Sequence, residues 1–147
     1  KTSIKKFLNT SYFKKPIPKS QSVENYDLKK FRFDLLEKKN LKDVDLISGL
    51  TEITFQSIIR DLQKHCKQKY EIYFCGGGTK NDYLMNKFKE LRLGNFKFFK
   101  TSDLGIDPLD VEAMTFAWLA KKRIEKQKIK LASVTGSKTC LMGKVIN

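Results

Sequence analysis

The chain has 147 residues, of which 40% are hydrophobic and 11 are Phe, enough for the core of one domain or of one lobe of a larger protein. It contains no run of about 18 apolar residues and no visible signal peptide, so the sequence predicts no membrane-spanning helix. The formal net charge is +14, but only four of the 30 basic residues are arginine, the residue that specific nucleic-acid readers use for bidentate contacts. The many dispersed lysines therefore indicate a solvated surface and a gene biased toward A/T-rich codons. No nucleic-acid partner is expected.

The cysteines and the single histidine argue against a metal site. Cys66, Cys75 and Cys140 lie far apart, form no CxxC pair, and have only His65 as a companion ligand. A sparse, odd number of cysteines is typical of a reducing cytoplasm. Cys75 follows an apolar segment and is predicted to be a small core residue. Since the chain starts at Lys1 instead of Met, we expect a processed or excised part of a longer protein.

In chain order, residues 1–27 are predicted to form an extended connector, because Pro16 and Pro18 would break a helix. The apolar spacing between Leu28 and Leu36 predicts a short helix. Asp43 is then predicted to cap a long helix that runs to about Lys67. Its apolar stripe, which we expect to be buried, consists of Phe55, Ile58, Ile59, Leu62 and Cys66.

Three consecutive glycines, Gly76, Gly77 and Gly78, separate a predicted strand from a predicted helix. Tyr70–Phe74 is a short aromatic and β-branched run typical of a strand, and the apolar residues after the glycines recur at helical spacing: Tyr83, Leu84, Phe88 and Leu91. Glycine either makes a plain tight turn here or lets a phosphate approach the main chain at a helix start. The segment is neither a G-x-G-x-x-G fingerprint nor a P-loop.

A second strand and helix follow. Phe96–Thr101 reads as a strand and residues 102–107 as a loop, after which Asp107 and Pro108 are predicted to open a helix. Residues 111–120 are apolar on almost every side, so this helix is predicted to be buried all round. The order helix, strand, helix, strand, helix predicts an α/β layer.

Glu112 lies within this apolar helix, one turn past the predicted cap, so capping does not explain it. A carboxylate in such surroundings must be paired, neutral or bonded to a ligand. Either it pairs with a nearby lysine or it contacts a ligand at the mouth of a cleft. Beyond the helix, Leu131–Val134 is predicted to be a short buried segment, and Thr135–Ser137 a turn.

Taken together, these segments resemble the C-terminal half of the anhydro-N-acetylmuramic acid kinase family, in order and over nearly the whole chain. The glycine turn with the helix that carries Glu112, at this spacing, is the specific part. The matching segments are Tyr12-Phe13, Lys15–Ser20, Asp45–Thr54, Cys75–Gly78 with Asn81 and Leu84-Met85, Thr101–Asp103 with Gly105 and Asp110, Glu112-Ala113, Phe116–Ala120, Val134–Gly136 and Gly143.

The resemblance implies the C-terminal lobe of the actin-like and sugar-kinase ATPase fold, which is ribonuclease H-like, with helices packed on a small sheet. Residues 1–27 would lead into the lobe and residues 28–147 would form it, the N-terminal lobe being absent. ATP would contact Gly76, Gly77 and Gly78, with Asn81 as a further candidate, and Glu112 would approach the sugar. Mg²⁺ would be bound mainly by the N-terminal lobe.

The family reaction hydrolyses the anhydro ring of 1,6-anhydro-N-acetylmuramic acid and phosphorylates the sugar to N-acetylmuramic acid 6-phosphate, in cytoplasmic peptidoglycan recycling. The family's first phosphate loop and the aspartate that activates water lie in the N-terminal half. We therefore expect no catalytic residue in this chain and no turnover by it alone. Thr79 and Ser137 stand where the family usually has small apolar residues.

Two other hypotheses remain: a stand-alone basic α/β module that binds nucleic acid, and a truncated product without activity. The expected partners are a small sugar and ATP, with no membrane, and a homodimer is left open.

Overall fold

The computed structural model describes residues 2–19 and 42–146. The predicted helix over residues 28–36 and the boundary after residue 27 lie outside these ranges. The helices are α1 (Thr2–Leu8), α2 (Ser11–Lys14), α3 (Asp43–His65), α4 (Asp82–Glu90), α5 (Asp110–Ile124) and α6 (Ala132–Thr135); the strands are β1 (Tyr70–Phe74) and β2 (Phe96–Lys100). Within these ranges, no helix is both long and apolar enough to cross a bilayer.

The two strands form a parallel pair joined by α4, which confirms the predicted α/β order. Their register runs from Tyr70 opposite Phe96 to Phe74 opposite Lys100. In a parallel pair both strands end at the same edge, so the segments that follow Phe74 and Lys100 are brought side by side. The fold thus places the glycine turn next to the connection that leads into α5.

Phe88 of α4 is the centre of the core beneath the sheet. It is 1% exposed, and its ring lies 4.5 Å from that of Phe74, 4.9 Å from Phe55 and 5.3 Å from Phe98. Leu84, one turn earlier, is also buried, as the helical spacing predicts. The α3 stripe that includes Phe55 is only half-buried.

The N-terminal segment is packed against α3, and it is not extended throughout. Residues 2–8 and 11–14 are helical, so the predicted extended conformation is wrong there; the prolines exclude helix only from Lys15 onward. Leu8 and Ile53 form a small buried cluster, and Arg60 Nη1 donates to the carbonyl of Leu8 at 2.6 Å. These contacts stabilise the segment on the long helix.

Lys19 fixes the end of this segment. Its ammonium lies 2.9 Å from Asp61 Oδ2 and above the rings of Tyr12 and Phe13, at 5.5 and 6.0 Å from their centroids. Its side chain is only 9% exposed, whereas that of Asp61 is 37% exposed. The cation therefore joins the segment to α3 at a largely desolvated position.

We expect Lys19→Met to lower the free energy of unfolding by about 1–2 kcal/mol, because a charged hydrogen bond and cation–π contacts are lost while Asp61 stays hydrated. Urea denaturation followed by circular dichroism measures the change. Lys15→Met, at an exposed position of the same segment, is the matched control and should change stability by less than about 0.5 kcal/mol. Equal effects of the two substitutions would contradict the assignment.

Several predicted caps and buried positions differ in the structure. Asp43 is the first helical residue, not the cap, since Lys42 occupies the capping position. Cys75 is exposed, because it follows the last paired residue of β1 and lies past the cover of the sheet. Most of residues 131–134 are exposed too.

The largest difference concerns α5, which was predicted to be buried all round. None of its residues is buried among the described ranges, and Phe116 is 62% exposed. Apolar composition predicts burial only where a second surface exists to provide it.

Candidate nucleotide and sugar site

The carboxyl edge of the parallel pair brings the predicted site segments together. The glycine turn follows β1, and a 3-10 turn, Thr101–Leu104, follows β2. In open α/β sheets, ligands bind in the crevice outside the carboxyl ends of the strands. This edge is therefore where a ligand is expected.

Gly76 links the glycine turn directly to the start of α5. Its N–H donates to the carbonyl of Pro108 at 2.7 Å, four residues before Glu112. The structure thus brings the two predicted parts of the site together through the backbone.

The backbone at Gly76 requires glycine, whereas that of the next two glycines does not. Gly76 has φ 79° and ψ −177°, a region that is essentially reserved for glycine. Gly77 and Gly78 begin the 3-10 turn Gly77–Lys80 without a positive φ, and a Cβ at either position would meet open space. Among the described residues, no neighbouring atom forces glycine at these two positions. The absence of side chains leaves the main chain there accessible.

We expect Gly76→Ala to cost about 1–3 kcal/mol of folding free energy, because alanine is strained at this φ and ψ. Gly77→Ala should change it by less than about 0.5 kcal/mol. Thermal and urea unfolding of the two variants make the comparison. A Gly76→Ala variant as stable as wild type would contradict this backbone geometry.

The side chains of Thr79 and Asn81 stabilise the glycine turn and the start of α4. Thr79 is 5% exposed, and its hydroxyl donates to the carbonyl of Gly76 at 2.7 Å. Asn81 caps α4, its Oδ1 accepting from the N–H of Leu84 at 3.0 Å. The Asn81 oxygen is therefore already engaged in one structural contact, the cap of α4.

The turn after β2 contributes a buried hydroxyl that the sequence prediction did not single out. Thr101 Oγ1 is buried and has no hydrogen-bond partner among the described residues. Buried hydroxyls in proteins are nearly always paired. Asp103 in the same turn accepts from the N–H of Lys100 at 3.0 Å.

The phenol of Tyr73, in β1, has a raised pKa. Its hydroxyl donates to Glu71 Oε2 at 3.0 Å, which raises the pKa of the phenol above 10.0. Partial burial and the negative charges of Glu71 and Asp103 act in the same direction. The raised pKa favours the protonated phenol, the form that donates this hydrogen bond.

Glu112 lies in the first turn of α5, and it is exposed. The predicted cap, Asp107, lies two residues before the observed capping position, Leu109, because Asp107 Oδ1 accepts from the N–H of Leu109 and forms a separate turn before the helix. The argument that Glu112 is desolvated by an apolar environment is therefore wrong for the described residues. Its side chain is open to a ligand and lies beside Phe116, one helical turn further on.

The sequence model of the anhydro-N-acetylmuramic acid kinase family matches residues 1–147. The chain belongs to this family. Curated anhydro-N-acetylmuramic acid kinases are similar to it: those of Sulfurimonas denitrificans (37% identity over 91% of this chain), Coxiella burnetii (34% over 92%) and Shewanella amazonensis (36% over 93%). The chain spans 38%, 36% and 37% of the length of these three relatives.

Two segments of the candidate site belong to the motifs by which the sequence resembles the anhydro-N-acetylmuramic acid kinase family. The glycine turn and the start of α5 were the parts of the sequence that carried the resemblance, and the structure joins them at Gly76 and Pro108. Thr101 belongs to the segment Thr101–Asp103 that also resembles the family, but the sequence prediction did not single it out as a candidate site residue. Its buried position became evident only from the fold, whereas its motif was visible in the sequence.

The described residues contain no group of three or more His, Cys, Asp or Glu side chains placed to hold a metal ion. At the carboxyl edge of the sheet, Asp103 and Asp107 lie in two different turns, and Glu112 lies in α5.

Proposed function

We propose that this chain is the C-terminal part of an ATP-dependent anhydro-N-acetylmuramic acid kinase. In the proposed reaction, water opens the 1,6-anhydro bond of the sugar, and the released 6-oxygen attacks the γ-phosphorus of ATP. The products are N-acetylmuramic acid 6-phosphate and ADP, as required for recycling of cell-wall peptidoglycan in the cytoplasm. The observation that carries the proposal is the family match over the whole chain, with its two most distinctive segments joined by the hydrogen bond from Gly76 to Pro108.

The glycine turn is the proposed contact for ATP. The open space above Gly77 and Gly78 suits close approach of phosphate or ribose to the main chain. The unpaired hydroxyl of Thr101 at the same edge is a further candidate donor. When bound, ATP with Mg²⁺ supplies the phosphoryl group and neutralises its developing charge. Mg²⁺ is proposed to be held mainly by the remainder of the kinase, as the family resemblance implies.

Glu112 is the proposed sugar contact. Its exposed carboxylate, at the start of a helix that is anchored to the glycine turn, can accept a hydrogen bond from a sugar hydroxyl. The water-activating aspartate is proposed to lie outside this chain, in the N-terminal lobe of the actin-like fold. On this account the 147 residues alone bind weakly and do not turn over.

Nucleotide binding at the glycine turn is tested in a chimeric kinase. In this chimera, the part of the Sulfurimonas denitrificans relative that this chain does not match is joined ahead of Lys1. We expect Gly77→Val to weaken binding of a fluorescent ATP analogue at least about tenfold, or about 1.4 kcal/mol, because the side chain occupies the space that the ligand needs.

Gly94→Val is the matched control. Gly94 also has open space at its Cβ, but it precedes β2 and lies at the opposite edge of the sheet. Unchanged affinity in Gly77→Val, or equal losses in the two variants, would refute the glycine-turn site.

The net charge of +14 keeps nucleic-acid binding as a second candidate. Titration with a fluorescent oligonucleotide at increasing salt separates the two functions, since polyanion binding falls steeply with salt. Tight, salt-sensitive oligonucleotide binding together with no ATP binding would favour the basic module.

A further inference from the structure

One side of α5 forms an apolar hollow that the described residues leave open. Val111, Met114, Thr115 and Trp118 recur at the spacing of a single helical face, and with Ile106 they line a hollow of about 280 Å³. We call these five residues the Trp118 face. Met114 is 53% exposed and Trp118 is 48% exposed.

Such a face is unusual for a surface helix. Contiguous exposed apolar patches commonly mark interaction sites, and a helix that is apolar on almost every side is normally buried.

We propose that the Trp118 face is the docking surface for the part of an anhydro-N-acetylmuramic acid kinase that this chain does not span. The inference rests on the proposed function, because it takes the remainder of that kinase as the occupant. The family relatives supply this occupant: well over half of each lies outside the match. The chemistry of the face requires apolar side chains that fill the hollow.

Docking at this face would also position the site. Val111 is adjacent in sequence to Glu112, and Pro108, just before the helix, holds Gly76. A surface that fixes α5 would therefore fix the proposed sugar contact relative to the glycine turn.

The test is amide hydrogen exchange of α5, measured by mass spectrometry in the isolated chain and in the chimeric kinase. We expect residues 110–124 to exchange at least about 100-fold more slowly in the chimera, while α4 changes much less. In the chimera, Trp118→Ser should bring the exchange of α5 to within about tenfold of the isolated chain. Ile124→Ser, at a 75% exposed position on the same helix, should leave the protection intact.

Three results with the chimera or the isolated chain would overturn the proposal. One is rapid exchange of α5 in a chimera that is folded elsewhere; another is strong protection of α5 already in the isolated monomer. The third is protection that appears only when the isolated chain dimerises in sedimentation experiments, since a second copy would then be the occupant. If the chimera does not fold, the matching helix of the intact Sulfurimonas denitrificans kinase is measured instead, and fast exchange there also refutes the proposal.

Kinase turnover of the chimera separates this inference from the proposed function. If α5 is protected in the chimera but no sugar is phosphorylated, the docking surface is supported and the proposed function is refuted. If the chimera is active but α5 is unprotected, the proposed function is supported and the docking surface is refuted.

Discussion

Phe88→Ala is expected to lower the free energy of unfolding by about 3–5 kcal/mol, the largest loss of stability for any single truncation in the described core. Phe88 is 1% exposed and its ring contacts those of Phe55, Phe74 and Phe98, which belong to three different elements. Removal of the ring leaves a cavity that the helix, the sheet and α3 all line. Small domains are stable by only about 5–15 kcal/mol, so the variant should be partly unfolded at modest denaturant concentrations.

Urea denaturation followed by circular dichroism measures this loss. Tyr83→Ala is the matched control on the same helix, because Tyr83 is 54% exposed and its truncation should cost about 1 kcal/mol or less. Phe88→Leu should fall between the two. A Phe88→Ala variant within 1 kcal/mol of wild type would contradict the described packing of α4 on the sheet.

Glu112→Gln is expected to lower kcat/KM for the sugar by about 10- to 100-fold in the chimeric kinase. The substitution keeps the shape of the side chain and removes its charge, and a hydrogen bond to a charged group contributes about 1.5–3 kcal/mol. The affinity for the ATP analogue should not change, because the proposed ATP contacts lie in the glycine turn.

The control for this prediction is Glu125→Gln, at the other end of α5, where the carboxylate is paired with Lys121 and Lys122 at 3.8 Å. It should leave sugar kinetics unaltered. Wild-type kinetics in Glu112→Gln would show that Glu112 does not contact the sugar, even in an active family member.

The local order of the fold could be predicted from the sequence because its signals are local. The aromatic run at Tyr70–Phe74, the three glycines and the helical spacing of Leu84 and Phe88 each correspond to the observed strand, turn and helix. Hydrophobic periodicity and glycine placement depend on neighbouring residues in the chain. The family could also be predicted, since the segments that resemble it follow one another in the family's order over nearly the whole chain.

Burial could not be predicted to the same degree because it depends on a second surface. The apolar residues of α5 predicted a fully covered helix, yet Phe116 and Trp118 are exposed among the described residues. The same reasoning failed for Cys75, which lies just beyond the paired part of β1.

The caps show a different limit of the sequence. Asp43 and Asp107 were both predicted to be caps, but Lys42 and Leu109 occupy the capping positions, and neither makes a side-chain capping hydrogen bond. The site contact from Gly76 to Pro108 joins residues that are distant in sequence, and no local pattern contains it.

The central claim is that this chain forms part of an anhydro-N-acetylmuramic acid kinase and needs the remainder of that kinase for turnover. Phosphorus NMR of the chimeric kinase and of the isolated chain, each with Mg-ATP and 1,6-anhydro-N-acetylmuramic acid, tests it most directly. We predict that the chimera forms a sugar 6-phosphate and ADP and that the isolated chain forms neither. Robust product formation by the isolated 147 residues, or its absence in a folded chimera that binds ATP, would contradict the account.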